Sequence, residues 1–360
     1  MKKTIFSILA VVVFTTAFYC QDTPKNIIFM IGDGMSINSV GISEMFFDNS
    51  PFRKFTHTGL VVTVAADKLI TDSAAGATAF STGYRTNKLM VAYKPDSTKV
   101  ETILEFLSDK GYATGIIATS SLTDATPACF GTHSISRYNF NDIAEQYSNL
   151  KIDYLVGGGT QYFLPENMGG ARTDGKNIVE NFTSKGFNFV DKIEDVINYN
   201  KKEPLFGLIG YDEMPEAWNR KFSLGEVTKS GLNYLSNTGK NFFIMVEGSQ
   251  IDNVNHGNNK DGLIAELSDF NTAVNCALNF AEKDKNTLVV VIADHDTGGL
   301  SVINGDLNKK QFDIGWTTKN HAANMVAVFA KGPGAEKFTG ILDNYQIGRI
   351  LFEYFGKTIK

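Results

Sequence analysis

Five short runs of apolar residues, separated by helical patterns, restrict the fold more than any other feature of this chain. They occupy residues 27–31, 115–119, 242–246, 287–293 and 325–329. A strand with one face in water alternates polar and apolar side chains, whereas a strand that is apolar throughout needs cover on both faces. The cover is legible too. Residues 102–110 read as a helix stopped by Gly111. Leu263, Ile264, Leu267, Phe270, Val274, Leu278 and Ala281 recur at helical spacing, and residues 346–355 read as a closing helix. Buried strands alternating with helices predict an α/β fold, a three-layer sandwich with a central, mostly parallel sheet flanked by helices. No internal repeat or low-complexity linker interrupts the pattern. Residues 21–360 are expected to form one domain, with 157–239, richer in Gly, Asn and Lys, as a candidate peripheral insertion.

The 360 residues carry a net charge of −5. Such a balance does not attract a polyanion, which argues against non-specific nucleic-acid binding. Any anion site must be local, made by metals, an arginine or a helix N-terminus. Lys2 and Lys3 precede an apolar stretch over residues 5–18, followed by polar Gln21 and Asp22. The stretch is short for a membrane span and reads as an export signal over residues 1–20, so no transmembrane segment is expected in the mature, periplasmic chain. Lipid anchoring through Cys20 is the alternative to a freely diffusing product. Cys129 and Cys276 are too few and too far apart in sequence to form a disulfide framework, and are expected as buried free thiols.

Polar residues fall at telling places. In open α/β sheets, ligands bind beyond the carboxyl ends of the strands. Asp33, Glu247 and the pair Asp294-His295 each follow an apolar run directly. A single carboxylate there is an ordinary loop residue; three in the same position point to a site. Only five histidines are present. Asp252 and His256 are spaced i, i+4, on one face of a helical turn. His295 follows Asp294, and His321 lies beside small residues. Imidazole nitrogens mixed with carboxylate oxygens, without cysteine, suit zinc sites that keep open positions. His57, in Thr56-His57-Thr58, reads as a residue without a ligand.

Two further segments admit two readings each. In Thr71-Asp72-Ser73-Ala74-Ala75-Gly76-Ala77-Thr78-Ala79, Ser73 and Asp72 stand before residues with almost no side chain. The run is either an Ala-rich core helix capped by Asp72 or Ser73, or a nucleophile at a helix N-terminus open to an anion. A serine hydroxyl needs a base or a metal to react at neutral pH, and no base lies in the run. Residues 124–137 read as a cap and a helix, with Thr126 as N-cap and Pro127 as the first helical residue. His133 and Arg137 would then be i, i+4 neighbours, with the arginine able to grip two phosphate oxygens.

Taken together, these residues resemble the bacterial alkaline phosphatases over nearly the whole mature chain. Thr71-Asp72-Ser73-Ala74-Ala75 carries the resemblance, joined in order by Gly32-Asp33-Gly34-Met35, Asp124-Ala125-Thr126-Pro127, Val246-Glu247-Gly248, Ile251-Asp252 with His256, Ala293-Asp294-His295, and His321. The resemblance implies hydrolysis of phosphate monoesters through a phosphoserine on Ser73. It implies a first zinc on Asp252, His256 and His321, and a second on Asp33, Asp294 and His295. A magnesium would sit on Asp33, Thr126 and Glu247, with Asp124 acting through its water shell. Arg137 would clamp the phosphate, steadied by Asp72, and His133 would stand behind the metal ligands. The two zincs would activate the nucleophile, the leaving group and the hydrolytic water. A homodimer is implied as well. Asn253, beside Asp252, is neutral where some relatives carry a charged or aromatic residue; weaker product-phosphate binding follows as an expectation.

Two alternatives stay open at this level. One is a phosphodiesterase or phosphonate hydrolase of the same superfamily, against which Asp124, Thr126, Glu247 and Arg137 argue by favouring a monoester dianion. The other is an exported metal- or phosphate-binding protein without turnover, which has no need of Ser73.

Overall fold

The apolar runs become strands of one sheet. The computed structural model describes residues 23–359, so the expected export signal and Cys20 lie outside the described residues. In chain order the strands are β1 (Asn26–Gly32), β2 (His57–Val62), β3 (Ala113–Ser121), β4 (Tyr154–Gly158), β5 (Asn188–Val190), β6 (Leu205–Leu208), β7 (Phe242–Gly248), β8 (Thr287–Ile292), β9 (Asp296–Thr297), β10 (Leu300–Asp306), β11 (Gln311–Trp316), β12 (His321–Ala322), β13 (Val326–Lys331) and β14 (Gly340–Asp343). Ten of them pair in the order β14–β2–β13–β8–β1–β7–β3–β4–β6–β5. Every pairing is parallel except those of β13, which runs antiparallel to β2 and β8.

Burial explains the apolar runs. Every residue of β1, β7 and β8 is buried, so each strand needs apolar side chains on both faces. The helices predicted as cover form where expected. Ile103–Asp109 starts with a capping box between Thr102 and Glu105, and Lys260–Asp284 and Asn344–Glu353 complete the set. Residues 157–239 join this frame at its periphery. They supply β5 and β6 at one edge of the sheet and the helix Leu224–Asn237, which packs on Lys260–Asp284 and β3 and buries Val227, Leu232 and Leu235.

Parallel register is what builds a site. Ile31 aligns with Glu247 on one side and with Ile292 on the other. The residues just past those positions therefore emerge together at one edge. A two-residue ladder between β9 and β12 sets His321 opposite Thr297, which brings a distant histidine to the same edge. Cys129 is buried and Cys276 half-buried, and both are free thiols.

Candidate active site

The helix Ser73–Thr82 begins at this edge. Asp72 is its N-cap, with Oδ1 accepting from the Ala75 N–H at 3.1 Å. All ten helical residues are buried, and an added Cβ on Gly76 would meet the Asp294 Cβ at 3.1 Å. The small residues thus let the helix lean on the end of β8. The run is a capped core helix, with Ser73 as its first residue. The Ser73 hydroxyl lies 3.3 Å from His295 Nε2.

Hydrogen bonds orient all three histidines of the site. Thr297 spends its only hydroxyl proton on Asp252, so its oxygen accepts from His295 Nδ1 at 3.1 Å. His321 Nδ1 donates to the Thr71 carbonyl at 2.9 Å, and His256 Nδ1 to the Lys319 carbonyl at 2.5 Å. Nε2 of His295 and of His321 is left as a lone pair, that of His321 3.6 Å from an Asp252 oxygen, whereas His256 Nε2 hydrogen-bonds Asp252 at 3.2 Å. The His295 and His321 rings stack with centroids 3.6 Å apart. Such outer bonds fix tautomer and ring direction for a metal ligand.

The charges in the cluster do not balance on their own. His295 Nε2 is 3.4 Å from Asp33 Oδ1 and 3.2 Å from Asp294 Oδ2, and neither contact has hydrogen-bond geometry. Among the described residues, Asp33 Oδ1, Asp294 Oδ2, Thr126 Oγ1 and Glu247 Oε1 are buried atoms without a hydrogen-bond partner. Burial, reinforced by Asp294 and Asp252, raises the Asp33 carboxyl well above the usual range. Burial lifts Asp294 to about 7 and Glu247 to about 8, each with further repulsion from neighbouring carboxylates. Burial also pushes His295 well down and His321 down, so both are neutral. Burial would raise Asp252 too, but its His256 hydrogen bond and three imidazoles outweigh that and lower it. The Asp252 hydrogen bond in turn raises His256 to about 9. A buried unpaired carboxylate costs on the order of several kcal/mol, and divalent cations between these groups offset that cost. Two triads have donor atoms within 4.8 Å of one another: Asp252, His295 and His321, and Asp33, Asp294 and His295. The two triads share His295; imidazole and carboxylate donors of this kind fit cations of the zinc type, and the unpartnered Thr126 and Glu247 oxygens fit a harder cation.

The family model described as alkaline phosphatase matches residues 24–308 and 302–356. The chain belongs to the alkaline phosphatase family. Alkaline phosphatase 3 of Bacillus subtilis is 32% identical, over 94% of this chain and 91% of its own. The alkaline phosphatase of Escherichia coli K12 is 29% identical, over 90% and 84%. The solved alkaline phosphatase from the Antarctic bacterium TAB5 superposes with a TM-score of 0.86 at 34% identity, covering 92% of this chain and 98% of that one. A variant of that enzyme with Mg bound in its M3 site gives 0.85 at 34% identity, over 93% and 98%. Members of the family are phosphoric monoester hydrolases, and this chain is an enzyme of that class.

Within this alkaline phosphatase fold, residues 124–137 depart from the expected helix. The helix spans Ala125–Gly131 with Asp124 at the N-cap position, and Thr126 lies inside it. Pro127 is its third residue, where a missing N–H is still no loss. The helix stops where Thr132 turns extended, its N–H and its hydroxyl both donating to the Ala128 carbonyl at 2.8 Å. His133 and Arg137 follow in a loop tied to residues 89–91, so no helical face joins them. His133 bonds Glu105 at 2.8 Å and the Ala92 carbonyl at 3.1 Å, and so does not stand behind the candidate ligands. Arg137 does reach the site. Its nearer support is Asp124 at 2.9 Å, with Asp72 at 3.6 Å. Burial opposes the Arg137 charge, but Asp124 and Asp72 outweigh that and raise its pKa.

Asn253 is also engaged, its amide donating to both Glu213 carboxylate oxygens at 2.9 and 3.1 Å. Sequence reasoning missed Glu213 and Thr297. Thr297 sits two residues past His295, a weak signal without its partner, and Glu213 has no signal in its own segment.

Proposed function

We propose that this phosphatase transfers the phosphoryl group of a monoester to Ser73 and then to water. The observation that carries the reading is the Ser73 hydroxyl, 3.3 Å from a neutral His295 whose Nε2 faces the unpartnered oxygens of Asp33 and Asp294. Asp252, His256 and His321 would hold one zinc, Asp33, Asp294 and His295 the other, and Asp33, Thr126 and Glu247 a magnesium. When bound, the zincs lower the pKa of the serine hydroxyl and the hydrolytic water and offset charge on the leaving alkoxide. The chain's own residues do the rest. Asp72 caps the Ser73 helix, whose positive end faces the incoming phosphate. Arg137, held by Asp124, presents its fork to phosphoryl oxygens and offsets charge in the transition state. The Nδ1 bonds to Thr71, Lys319 and Thr297 fix the ring directions, so that each Nε2 would be the atom offered to a metal. The solved relative with Mg in its M3 site supports the third metal.

Metal analysis with phosphomonoesterase assays tests this. Ser73→Ala should keep its metals and lose nearly all turnover; loss of the metals, or full activity, overturns the assignment. Much faster hydrolysis of an aryl monoester than of the matching diester is expected, and the reverse order would favour the phosphodiesterase reading. Among the described residues no helix is long and apolar enough to cross a membrane. Export to the periplasm, with Cys20 lipidation as the alternative, is checked by mass spectrometry of the mature N-terminus. Homodimerisation is checked by sedimentation.

A further inference from the structure

The mouth of the site joins aromatic rings to carboxylates. Tyr138 follows Arg137 and is 62% exposed. Its ring meets Phe140 edge-on with centroids 6.2 Å apart, and Phe140 lies 4.8 Å from Tyr162. The main chain of Gln161 donates to the Tyr211 carbonyl at 3.0 Å, and its side chain donates to Asp212 at 2.7 Å. Tyr211 is 56% exposed. Glu213, two residues further on, holds Asn253, the neighbour of Asp252. One end of this rim therefore touches the Arg137 loop and the other the helix that carries Asp252. A cavity of about 410 Å³ opens along Gly210–Glu216.

The rim is rigid and uncompensated. An added Cβ on Gly158 would stand 2.4 Å from the Asp212 carbonyl, so only glycine lets the segment lie this close to β4. Met214 is fixed through the Thr119 carbonyl and the Gln250 side chain. Further along, buried Arg220 bonds Asp269 at 2.7 Å and Glu266 at 3.1 Å, anchoring the segment to the helix Lys260–Asp284. Among the described residues, no lysine or arginine pairs with Asp212 or Glu213. The one guanidinium nearby, Arg137, is already matched by Asp124 and Asp72. Burial raises the Glu213 carboxyl to about 7, so it is ionised in alkaline solution.

We propose that this rim selects phosphate monoesters whose alcohol carries a quaternary or alkylated ammonium group, as in choline-type alcohols. The phosphate sits against Arg137 and Ser73. The cation lies on the Tyr162 and Tyr211 faces, with Asp212 and Glu213 supplying negative charge. A ring face and a carboxylate together attract an organic cation that neither a neutral nor an anionic alcohol matches. The inference rests on the phosphatase reading above.

The metal-loaded enzyme is assayed at low salt on phosphocholine and on 3,3-dimethylbutyl phosphate, the same shape without the charge. We expect kcat/KM to favour phosphocholine roughly tenfold. The ratio should fall toward one in Asp212→Asn and in Tyr211→Leu. A ratio near one in the unmodified enzyme, with both esters hydrolysed, overturns the proposal and leaves the phosphatase reading intact. Hydrolysis of neither ester overturns both. A second readout is independent of turnover: magnetisation transfer from the protein to the methyl protons of tetramethylammonium should be clear in the unmodified enzyme and lost in Tyr211→Leu. Equal transfer in the two proteins contradicts the assignment of the ring.

Discussion

The two halves of the candidate metal centre differ in how they are buried and in how their charges are met. The inner half, with Asp33, Glu247, Asp294 and His295, stands at the ends of fully buried strands, and its carboxyls are raised and partly unpartnered. The outer half is borne by a short helix and a two-residue ladder. Its Asp252 carboxyl is lowered by the imidazoles around it, and the His256 side chain is 37% exposed. The inner half is unfavourable without cations, whereas the outer half is largely neutralised by its own groups. Divalent ions should therefore contribute most to stability at the inner half and exchange most readily at the outer one.

Asp294→Asn gives the strongest test of that contrast. It removes an inner ligand and should cost roughly 10³-fold or more in turnover, since a bound metal supplies several kcal/mol. The same change should stabilise the metal-free protein, because it removes a repelled carboxylate. Calorimetry that shows the apo variant less stable would break the comparison.

Next in size is a pH effect. Asp294 and Glu247 have folded values of about 7 and about 8, raised above their unfolded ones. The folded apo protein then binds more protons than the unfolded chain, so its stability falls as pH rises from about 4 and levels off above 8. The combined loss should amount to several kcal/mol, be flattened in Glu247→Gln, and vanish when metals are bound. A flat apo profile between pH 5 and 9 would count against it.

Thr297→Val probes the hydroxyl that links the halves through His295 Nδ1 and Asp252. An expected loss of about 10–100-fold in metal affinity follows from the usual weight of such outer partners, read by competition with a chromophoric chelator. The smallest effect belongs to His133→Gln. It breaks the Glu105 bond and should cost about 1 kcal/mol of stability while metal content stays unchanged.

The strand ends were legible because burial on both faces forces a continuous apolar run, and a carboxylate just past such a run is conspicuous. The Asp252–His256 pair was legible because one helical turn connects them. Residues 124–137 were not, since a good opening for a helix says nothing of where it stops. The backbone turns extended at Thr132, and a loop partner at Leu89 takes the Arg137 N–H. Arg137 therefore reaches the site from a loop, and Asp124 supports it more closely than Asp72.

By itself the sequence determined the layered α/β class, the family, and the residue types that gather at one edge, because these depend on periodicity and on position along the chain. Only the tertiary structure decided which oxygens remain unpartnered, which imidazole nitrogen faces the metals, and which carboxylates hold Arg137 and Asn253. Those outcomes depend on contacts between residues such as Thr297 and Asp252 or Glu213 and Asn253, and no local pattern encodes a distance across the fold.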